Sequence, residues 1–369
     1  DFFNNRLSVS GDYYRRYTTD MYTASVALPA VYGTGSPKGN NAEMKTDGWE
    51  LSLSWRDSFK LGGKPFDYSI KAMVWDSKSV ITKYVNDTGS LGTVKGFIEN
   101  GGSPSSYYVG MTVGEIWGYT VAGLFRDQAD IDSSAIHDFV QASDKVTRPG
   151  QVKIADLDGN GFIDPGNFAV DDHGDLRIIG NQSPRYRYGV NLSARWNGIG
   201  LSVFLQGVGA RDWYPGSDAG MFWGKYGRPF FALIPSIHNY TDDMYSAERN
   251  NWDTAYWPRM TTYQSNGTKN WTRLLEIPNT RYIQSAAYLR VKNIQLDYSF
   301  PKHICSAIRL QGLKIYVNAE NLFTFTPLHK YAPNFDPEGL SYDSDFASAA
   351  DGYTYPILKS VTVGVNITF

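Results

Sequence analysis

The sequence predicts an all-β protein, and it favours a transmembrane β-barrel over a soluble sandwich. Apolar and polar residues alternate with a period of two in several segments, which is the pattern of strands that have two different faces. Short turns alternate with long connections along the chain, as they do in outer-membrane barrels. The clearest strand, residues 359–369, ends on an aromatic residue and places its apolar side chains on one face: Val361, Val363, Val365, Ile367 and Phe369.

The period-two pattern predicts about eight antiparallel strands. They are residues 7–17, 49–57, 66–76, 187–196, 200–209, 286–299, 313–323 and 359–369. The alternation in the sixth strand changes from odd-numbered to even-numbered apolar positions, because Val291 is odd-numbered whereas Ile294 and Leu296 are even-numbered. We therefore expect a β-bulge near Asn293.

The connections between these strands fall into two length classes. Asn197-Gly198 predicts a tight hairpin, and residues 60–65 and 301–311 form further short turns. Four connections are long and irregular: residues 18–46, 77–184, 211–284 and 325–357. If the last strand runs toward the periplasm, every short turn is periplasmic and the long loops are extracellular. The strand-like stretch 115–125 must then lie outside the membrane wall or pair locally.

Composition excludes several classes of protein. The formal charge of −2 argues against a nucleic-acid-binding protein, which usually carries a basic excess. Cys305 is the only cysteine, so no intramolecular disulfide can form. No apolar run reaches the roughly 18 residues of a transmembrane helix, whereas barrel strands need only about 9–11 residues. The start of the chain does not resemble a signal peptide, and we expect further residues upstream.

Residues 156–164, with the sequence DLDGNGFID, form the sharpest local motif. They match the start of an EF-hand-like calcium loop, in which oxygens at alternate positions point inward and a glycine permits the sharp turn. The candidate ligands are Asp156, Asp158, Asn160, the carbonyl of Phe162, and Asp164. The twelfth position holds Asn167, so we expect an acid after an insertion, Asp175 or else Asp171 or Asp172, to complete the site. The alternative is an Asp/Gly-rich turn that binds no metal.

The connection 211–284 is rich in aromatic and polar residues. We expect it to expose flat aromatic faces beside hydrogen-bonding groups, which is what a sugar or peptide ligand needs. The candidate substrate- or partner-binding residues are Trp213, Tyr214, Trp223, Trp252 and Trp257. We expect this binding surface of the connection as a whole, whereas any single one of these residues is expected to build a small core within the loop or to contact a partner protein.

No motif indicates catalysis. The histidines are dispersed without metal-ligand spacing, and no nucleophile motif or phosphate-binding loop is present. A carboxylate pair for glycoside hydrolysis stays open, because acidic residues are abundant. A soluble extracellular β-sandwich that binds glycans also stays open, because alternation alone does not distinguish it from a barrel.

Short motifs in a shared order resemble the C-terminal barrel region of SusC-like TonB-dependent transporters (the SusC/RagA family) of the Bacteroidetes outer membrane. The resemblance runs nearly from end to end of the chain. The matching segments are 5–14, 41–51, 118–125, 149–164, 184–207, 288–293, 321–324 (NLFT), 336–338 (DPE) and 355–356. The chain departs from the family pattern at Gln151, where an acid is usual, and after Asp164, where it carries an insertion.

This resemblance implies a barrel of about 22 strands, of which the chain would supply the C-terminal third. A plug domain and a TonB-contacting segment are expected upstream, outside this sequence. The implied function is TonB-dependent import of oligosaccharides, or of oligopeptides, across the bacterial outer membrane, with no enzyme activity and no organic cofactor. A SusD-like surface lipoprotein is the expected lid, contacted by loops 77–184 and 211–284, and calcium in the 156–164 loop is the one expected cofactor.

Overall fold

The computed structural model of the chain describes residues 1–25, 31, 33–35, 37–92, 104, 106–136, 147–215, 222, 243–259, 278–340 and 357–369. In chain order its strands are β1 Leu7–Ala24, β2 Lys38–Leu61, β3 Lys64–Lys83, β4 Glu115–Tyr119, β5 Val121–Leu124, β6 Val152–Ile154, β7 Leu176–Asn181, β8 Arg185–Trp196, β9 Ile199–Ala210, β10 Asp212–Trp213, β11 Gln284–Ser285, β12 Tyr288–Ser299, β13 Gly312–Phe325 and β14 Ser360–Thr368. Short helices span Gln128–Asp132 and Lys302–Ala307, and a 3₁₀ helix spans Pro327–Lys330. No helix in these ranges has the length and apolar character needed to cross a membrane.

Eight strands form one antiparallel sheet, which we call the wall. Their order is β1-β2-β3-β8-β9-β12-β13-β14, so each wall strand pairs with the next one along the chain. This meander confirms the predicted all-β fold and the predicted set of wall strands. The strand-like stretch 115–125 lies outside the wall, as the strand count required. It pairs locally, β4 with β7 and β5 with β6.

The wall has one apolar face and one polar face. Residues of like parity on neighbouring strands form rows, such as Val9–Leu53–Ala72 on one face. The apolar side chains are exposed even on strands that have a neighbour on each side, where Leu53 on β2 is 41% and Ile70 on β3 is 42% accessible. On the other face Ser69 and Ser193 share a hydrogen bond of 2.8 Å. A single sheet with an uncovered apolar face suits lipid, whereas a soluble sandwich would pack such a face against a second sheet.

Aromatic residues border the apolar face at both ends of the first hairpins. Tyr13 and Trp49 pair across β1 and β2 at one border, and Phe59 and Phe66 pair across β2 and β3 at the other, with ring centroids 5.0 Å apart. Trp49 and Phe59 are separated by about 33 Å along the strand at ~3.3 Å per residue. At a tilt near 40° this corresponds to about 25 Å of membrane, the height of the apolar band between the aromatic girdles of outer-membrane barrels.

Strands β1 to β3 continue well past their predicted ends. β1 runs to Ala24, and β2 begins at Lys38, so residues 25–37 connect them instead of the predicted 18–46. The added segments show weak alternation, because a strand outside lipid no longer needs an apolar face. Backbone pairing continues there, with register shifts between Thr18 and Met21 and between Met21 and Tyr22.

β12 contains the predicted bulge. Its register shifts between Val291 and Asn293 against both neighbours, β9 and β13. Against β9 the extra residue is Lys292, whereas against β13 the extra residue lies on β13, between Glu320 and Phe323. The phase change seen in the sequence therefore has a direct structural cause.

Glycine allows close contact between β9 and its neighbours. A Cβ atom at Gly207 would overlap the carbonyl oxygen of Tyr288 and the ring of Tyr188. The Tyr188 hydroxyl donates a hydrogen bond of 3.1 Å to that same carbonyl. By contrast, a Cβ atom at Gly189 on β8 would lie 3.5 Å from Phe204, which is an ordinary contact.

We predict that Gly207→Ala destabilises the wall by about 1–3 kcal/mol, because a strand must move to accept the added methyl group. The measurement is the unfolding temperature of the complete barrel, followed by heat-modifiable migration on gels. Gly189→Ala is the matched control and should change that temperature much less. Equal shifts for the two variants would contradict this packing analysis.

Candidate functional site

The long connections pack together at one end of the wall. We call their described residues (84–92, 104, 106–136, 147–184, 211–215, 222, 243–259, 278–287 and 326–340) the external layer. A single hydrophobic cluster draws Leu124 and Leu176 from the first connection, Trp257 from the second, and Leu328 and Phe335 from the third. The connections therefore form one packed layer instead of independent loops.

Three of the aromatic candidates are buried and offer no exposed face to a ligand. Trp213, Tyr214 and Trp257 have 0% exposed surface. Trp252 is half-buried and packs against the same cluster, and Trp223 lies outside the described residues. The aromatic residues follow the alternative in which they build a core, because burying their large surfaces stabilises a layer made of irregular chain. Stacking of a ligand on these three rings would require the cluster to open.

Aromatic stacking joins the connections within the cluster. Tyr256 and Tyr331 stack with ring centroids 3.6 Å apart and an interplanar angle of 3°, and Trp257 and Tyr282 stack at 5.7 Å. The Trp213 ring lies 4.8 Å from that of Phe335.

Backbone hydrogen bonds add a second link between the first two connections. The amide of Tyr119 donates to the carbonyl of Pro278 at 2.9 Å, and the amide of Thr280 donates to the carbonyl of Tyr119 at 3.0 Å. Gly118 permits this approach, since a Cβ atom there would overlap the Pro278 carbonyl.

An ion-pair network holds residues 326–340 against the polar face of the wall. Arg290 on β12, with a side chain only 3% exposed, pairs with Asp336 at 2.6 Å and also with Glu338. Lys292 pairs with Glu338 at 2.9 Å. Arg211 donates to the carbonyl oxygen of Pro337 at 3.2 Å. We call Arg211, Arg290, Lys292, Asp336 and Glu338 the clamp.

The sequence analysis did not predict the clamp. In the sequence, the Asp336-Pro337-Glu338 motif contributes only to the family resemblance, although two acids around a proline form a compact acceptor. Arg290 and Lys292 lie two positions apart on β12, and both pair with the carboxylate of Glu338.

The acidic loop brings three of its candidate ligands together. Carboxylate oxygens of Asp156, Asp158 and Asp175 all lie within 4.8 Å of one another. Asp175 comes from the start of β7 and is fully buried, so the predicted replacement for the twelfth ligand is the acid that approaches the loop. Asp172 instead accepts a hydrogen bond from Asn167.

Backbone amides organise this loop around the carboxylates. Asp156 accepts hydrogen bonds from the amides of Gly159 and Gly161 at 2.6 and 2.9 Å. Asp175 accepts from the amides of Leu157 and Asp164 at 2.6 and 3.1 Å. Asp175 therefore fastens both ends of the loop, a structural role that the ligand motif by itself did not indicate.

The other predicted ligands border the carboxylate group. The side-chain amide of Asn160 donates to Asp158 at 3.1 Å and to Asp164 at 3.2 Å, while its oxygen accepts from the amide of Phe162. The Phe162 side chain is exposed. Among the candidates, only Asp156, Asp158 and Asp175 form the close carboxylate cluster within the described chain.

The electrostatics of the loop are those of a site with excess negative charge. Burial raises the pKa of Asp175, and the neighbouring charges of Asp158 and Asp156 raise it further, against the opposing effect of its amide donors. Hydrogen bonds from the Gly161 and Gly159 amides lower the pKa of Asp156. A bound divalent cation would relieve the repulsion among these carboxylates and would favour their ionised forms.

Comparisons with known proteins match the whole chain. It is 25% identical over 375 residues to the TonB-dependent receptor P3 of Formosa agariphila, and 23% identical over 373 residues to the TonB-dependent receptor P26 of the same organism. These alignments cover 100% of the chain and 33% of each relative, so the chain spans about a third of the length of the curated relatives it matches. No protein-family model matches the chain.

Solved structures share the fold. The RagAB peptide transporter matches with a TM-score of 0.61 at 18% identity, covering 100% of the chain and 34% of the transporter chain. The open-open state of the RagAB peptide importer matches with a TM-score of 0.61 at 19% identity, covering 100% of the chain and 33% of the importer chain. Together these comparisons confirm the predicted resemblance, the β-barrel fold class and the outer-membrane location, and the proteins matched are receptors and transporters, not enzymes.

We predict that Arg290→Ala releases residues 326–340 from the wall. Removing one partner of a buried ion pair costs about 3 kcal/mol or more, because the remaining charges lose their counterion. Limited trypsin digestion of the complete transporter should then cleave faster after the exposed Lys330. Arg6→Ala is the control, because its ion pair with Asp57 is solvent-exposed and its loss should cost less than about 1 kcal/mol. Unchanged cleavage in the Arg290 variant would show that the clamp does not hold this segment.

Proposed function

We propose that this chain supplies wall strands and an external layer to a TonB-dependent importer, which carries oligosaccharides or oligopeptides across the bacterial outer membrane. The main observation that supports the proposal is that the wall has one apolar face and one polar face. Its apolar face, bordered by aromatic girdles, suits lipid, and its polar face suits a lumen through which hydrophilic cargo passes. The similarity of the whole chain to a third of a TonB-dependent receptor supports TonB as the energy source.

The same proposal includes a SusD-like surface lipoprotein as a partner at the external layer. A packed layer of long connections offers such a lid a stable surface, because the shared aromatic core limits their movement. The clamp lies where this layer meets the polar face of the wall. We propose that cargo passes this junction and that the clamp positions the segment that borders the route.

Deletion of the complete transporter from its source bacterium tests this function. Uptake of fluorescently labelled oligosaccharides and of labelled oligopeptides is measured in parallel, in wild-type, deletion and TonB-deficient cells. We expect uptake of one of the two cargo classes to fall to background in both mutant strains, and plasmid expression of the transporter to restore it in the deletion strain. Uptake that persists without the transporter, or without TonB, would refute the proposal.

A tagged transporter tests the partner in a separate experiment. Affinity purification from gently solubilised outer membranes should retain a SusD-like lipoprotein in roughly equal amount, identified by mass spectrometry. Recovery of the transporter without any surface lipoprotein would remove the lid from the proposal and leave import intact.

We also propose that residues 156–175 bind Ca²⁺ or a similar hard cation as a clip within the external layer. The supporting observation is the group of three carboxylates, one of them fully buried, gathered by a loop of calcium-binding sequence. Hard cations prefer such oxygen ligands. Asp156, Asp158 and Asp175 would hold the ion, and its charge would neutralise their mutual repulsion.

Calcium-dependent stability tests the cation clip. We expect Ca²⁺ at about 100 times its dissociation constant to stabilise the complete transporter by about 2.7 kcal/mol, seen as a rise in melting temperature. Replacing both acids, Asp156→Ala with Asp158→Ala, should abolish that rise. The control replaces two exposed acids of the same layer, Asp87→Ala with Asp253→Ala, and should retain it. The proposal fails if calcium leaves the wild-type melting temperature unchanged, or if both double variants lose the rise equally.

A further inference from the structure

We propose that the outer surface of β1 to β3 binds the phosphate of a phosphorylated glycolipid, lipid A, in the outer leaflet of the membrane. This inference rests on the membrane-spanning wall and on the orientation that places its long connections outside. It concerns the lipid-facing surface and is independent of cargo.

The site lies immediately beyond an aromatic girdle. Arg15, Asp47 and Lys78 occupy one row across the three strands, because Arg15 pairs with Asp47 and Asp47 pairs with Lys78. The next row toward the membrane contains Tyr13 and Trp49 of the girdle. Two residues along a strand span about 7 Å, or roughly 5 Å of height at a tilt near 40°. The row therefore lies at the level of lipid headgroups.

The side chains of this row share a face with the lipid-contacting residues. Strand parity places Asp47 and Lys45 on the face of Trp49, Leu51 and Leu53. The pairing of β2 with β3 has no register shift between Met44 and Leu61, so no bulge turns this row away from the membrane. A ligand that contacts both the charged row and the rows below must combine an anionic head with apolar chains.

The row carries excess positive charge. Within the row, Arg15 and Lys78 supply two cations against the carboxylate of Asp47. Lys45, two positions farther from the membrane on the same face, adds a third cation, so these four residues together have a net charge of +2. Asp47 accepts from Arg15 at 2.5 Å and pairs with Lys45 at 3.1 Å, so it holds two of the cations in place without neutralising the group. Lys78 is exposed and has no ion-pair partner among the described residues. Guanidinium and ammonium groups bind phosphate oxygens by charge-assisted hydrogen bonds.

Exposed aromatic rings complete an amphiphilic surface. Tyr13 and Tyr17 flank Arg15 on β1 and are 67% and 62% exposed. Tyrosine at a membrane interface places its ring toward acyl chains and its hydroxyl toward headgroups. The Tyr13 hydroxyl already donates to Asp47 at 3.1 Å, which joins the aromatic and charged parts of the surface.

Two other charged pairs at this end of the three strands are balanced. Lys83 pairs with Glu43 at 3.3 Å, and Asp76 binds Arg185 through two hydrogen bonds. These two pairs add no net charge to the group of Arg15, Lys45, Asp47 and Lys78. Asp47 neutralises the charge of one of the three cations, which leaves the equivalent of two positive charges to bind a phosphate at this level.

Lipid binding to the complete, delipidated transporter tests this site by native mass spectrometry. The probes are monophosphorylated lipid A, the same lipid after removal of its phosphate, and inorganic phosphate. Wild-type protein should retain the phosphorylated lipid preferentially. Lys78→Gln should lower that retention about fivefold, and Lys45→Gln with Lys78→Gln about 25-fold, since each cation near a membrane surface contributes a comparable attraction.

Lys60→Gln is the matched control, because it removes the same charge from an exposed lysine at the opposite end of β2. It should leave retention unchanged, and heat-modifiable migration confirms that every variant is folded. Three results would overturn the proposal: equal retention of the two lipids by wild-type protein, an equal loss in the Lys60 variant, or saturation by inorganic phosphate alone. Cargo uptake is not measured here, so failure of this site leaves the proposed import untouched.

Discussion

The constraint on which the rest of the structure depends is the absence of water inside a membrane. A peptide group in hydrocarbon must find its hydrogen-bond partner within the protein, and strands can do so only by pairing with neighbouring strands. The continuous antiparallel wall from β1 to β14 meets this condition. Its alternation follows from the same condition, because one face meets lipid while the other meets water.

The external layer obeys a different requirement. Outside the membrane water can satisfy the backbone, so the connections are free to be long and irregular, but their conformational entropy must still be offset. Buried aromatic rings provide much of that stabilisation, with Trp213 and Trp257 at its centre. The clamp then couples this layer to the wall, because Arg290 projects from a strand and its carboxylate partners belong to the segment that follows β13.

Candidate site residues that lie within one short motif could be predicted from the sequence, whereas those that depend on distant contacts could not. The candidate ligands of the acidic loop could be predicted as far as Asp164, because they alternate within one short segment, and Asp156 and Asp158 do join the carboxylate cluster. Asp175 could be predicted only as one of three acids that are candidates to complete the site, because the path of the chain after Asp164 determines which of them lies next to the loop. The aromatic candidates were identified by composition, but whether Trp213 faces solvent or core depends on segments more than 100 residues away, such as the one containing Phe335.

Sequence by itself determined the all-β class, the strands of the wall, its apolar face and the bulge near Asn293. These features follow from the period-two alternation of apolar and polar residues, which can be read within a single strand without knowing which strands are its neighbours. Only the tertiary structure decided the length of β1 and β2 beyond the membrane, the burial of the aromatic cluster, the clamp, and the row of Arg15, Asp47 and Lys78. Each of these depends on which strands and connections come together in space. The sequence around a polar residue does not indicate which distant residue it will pair with.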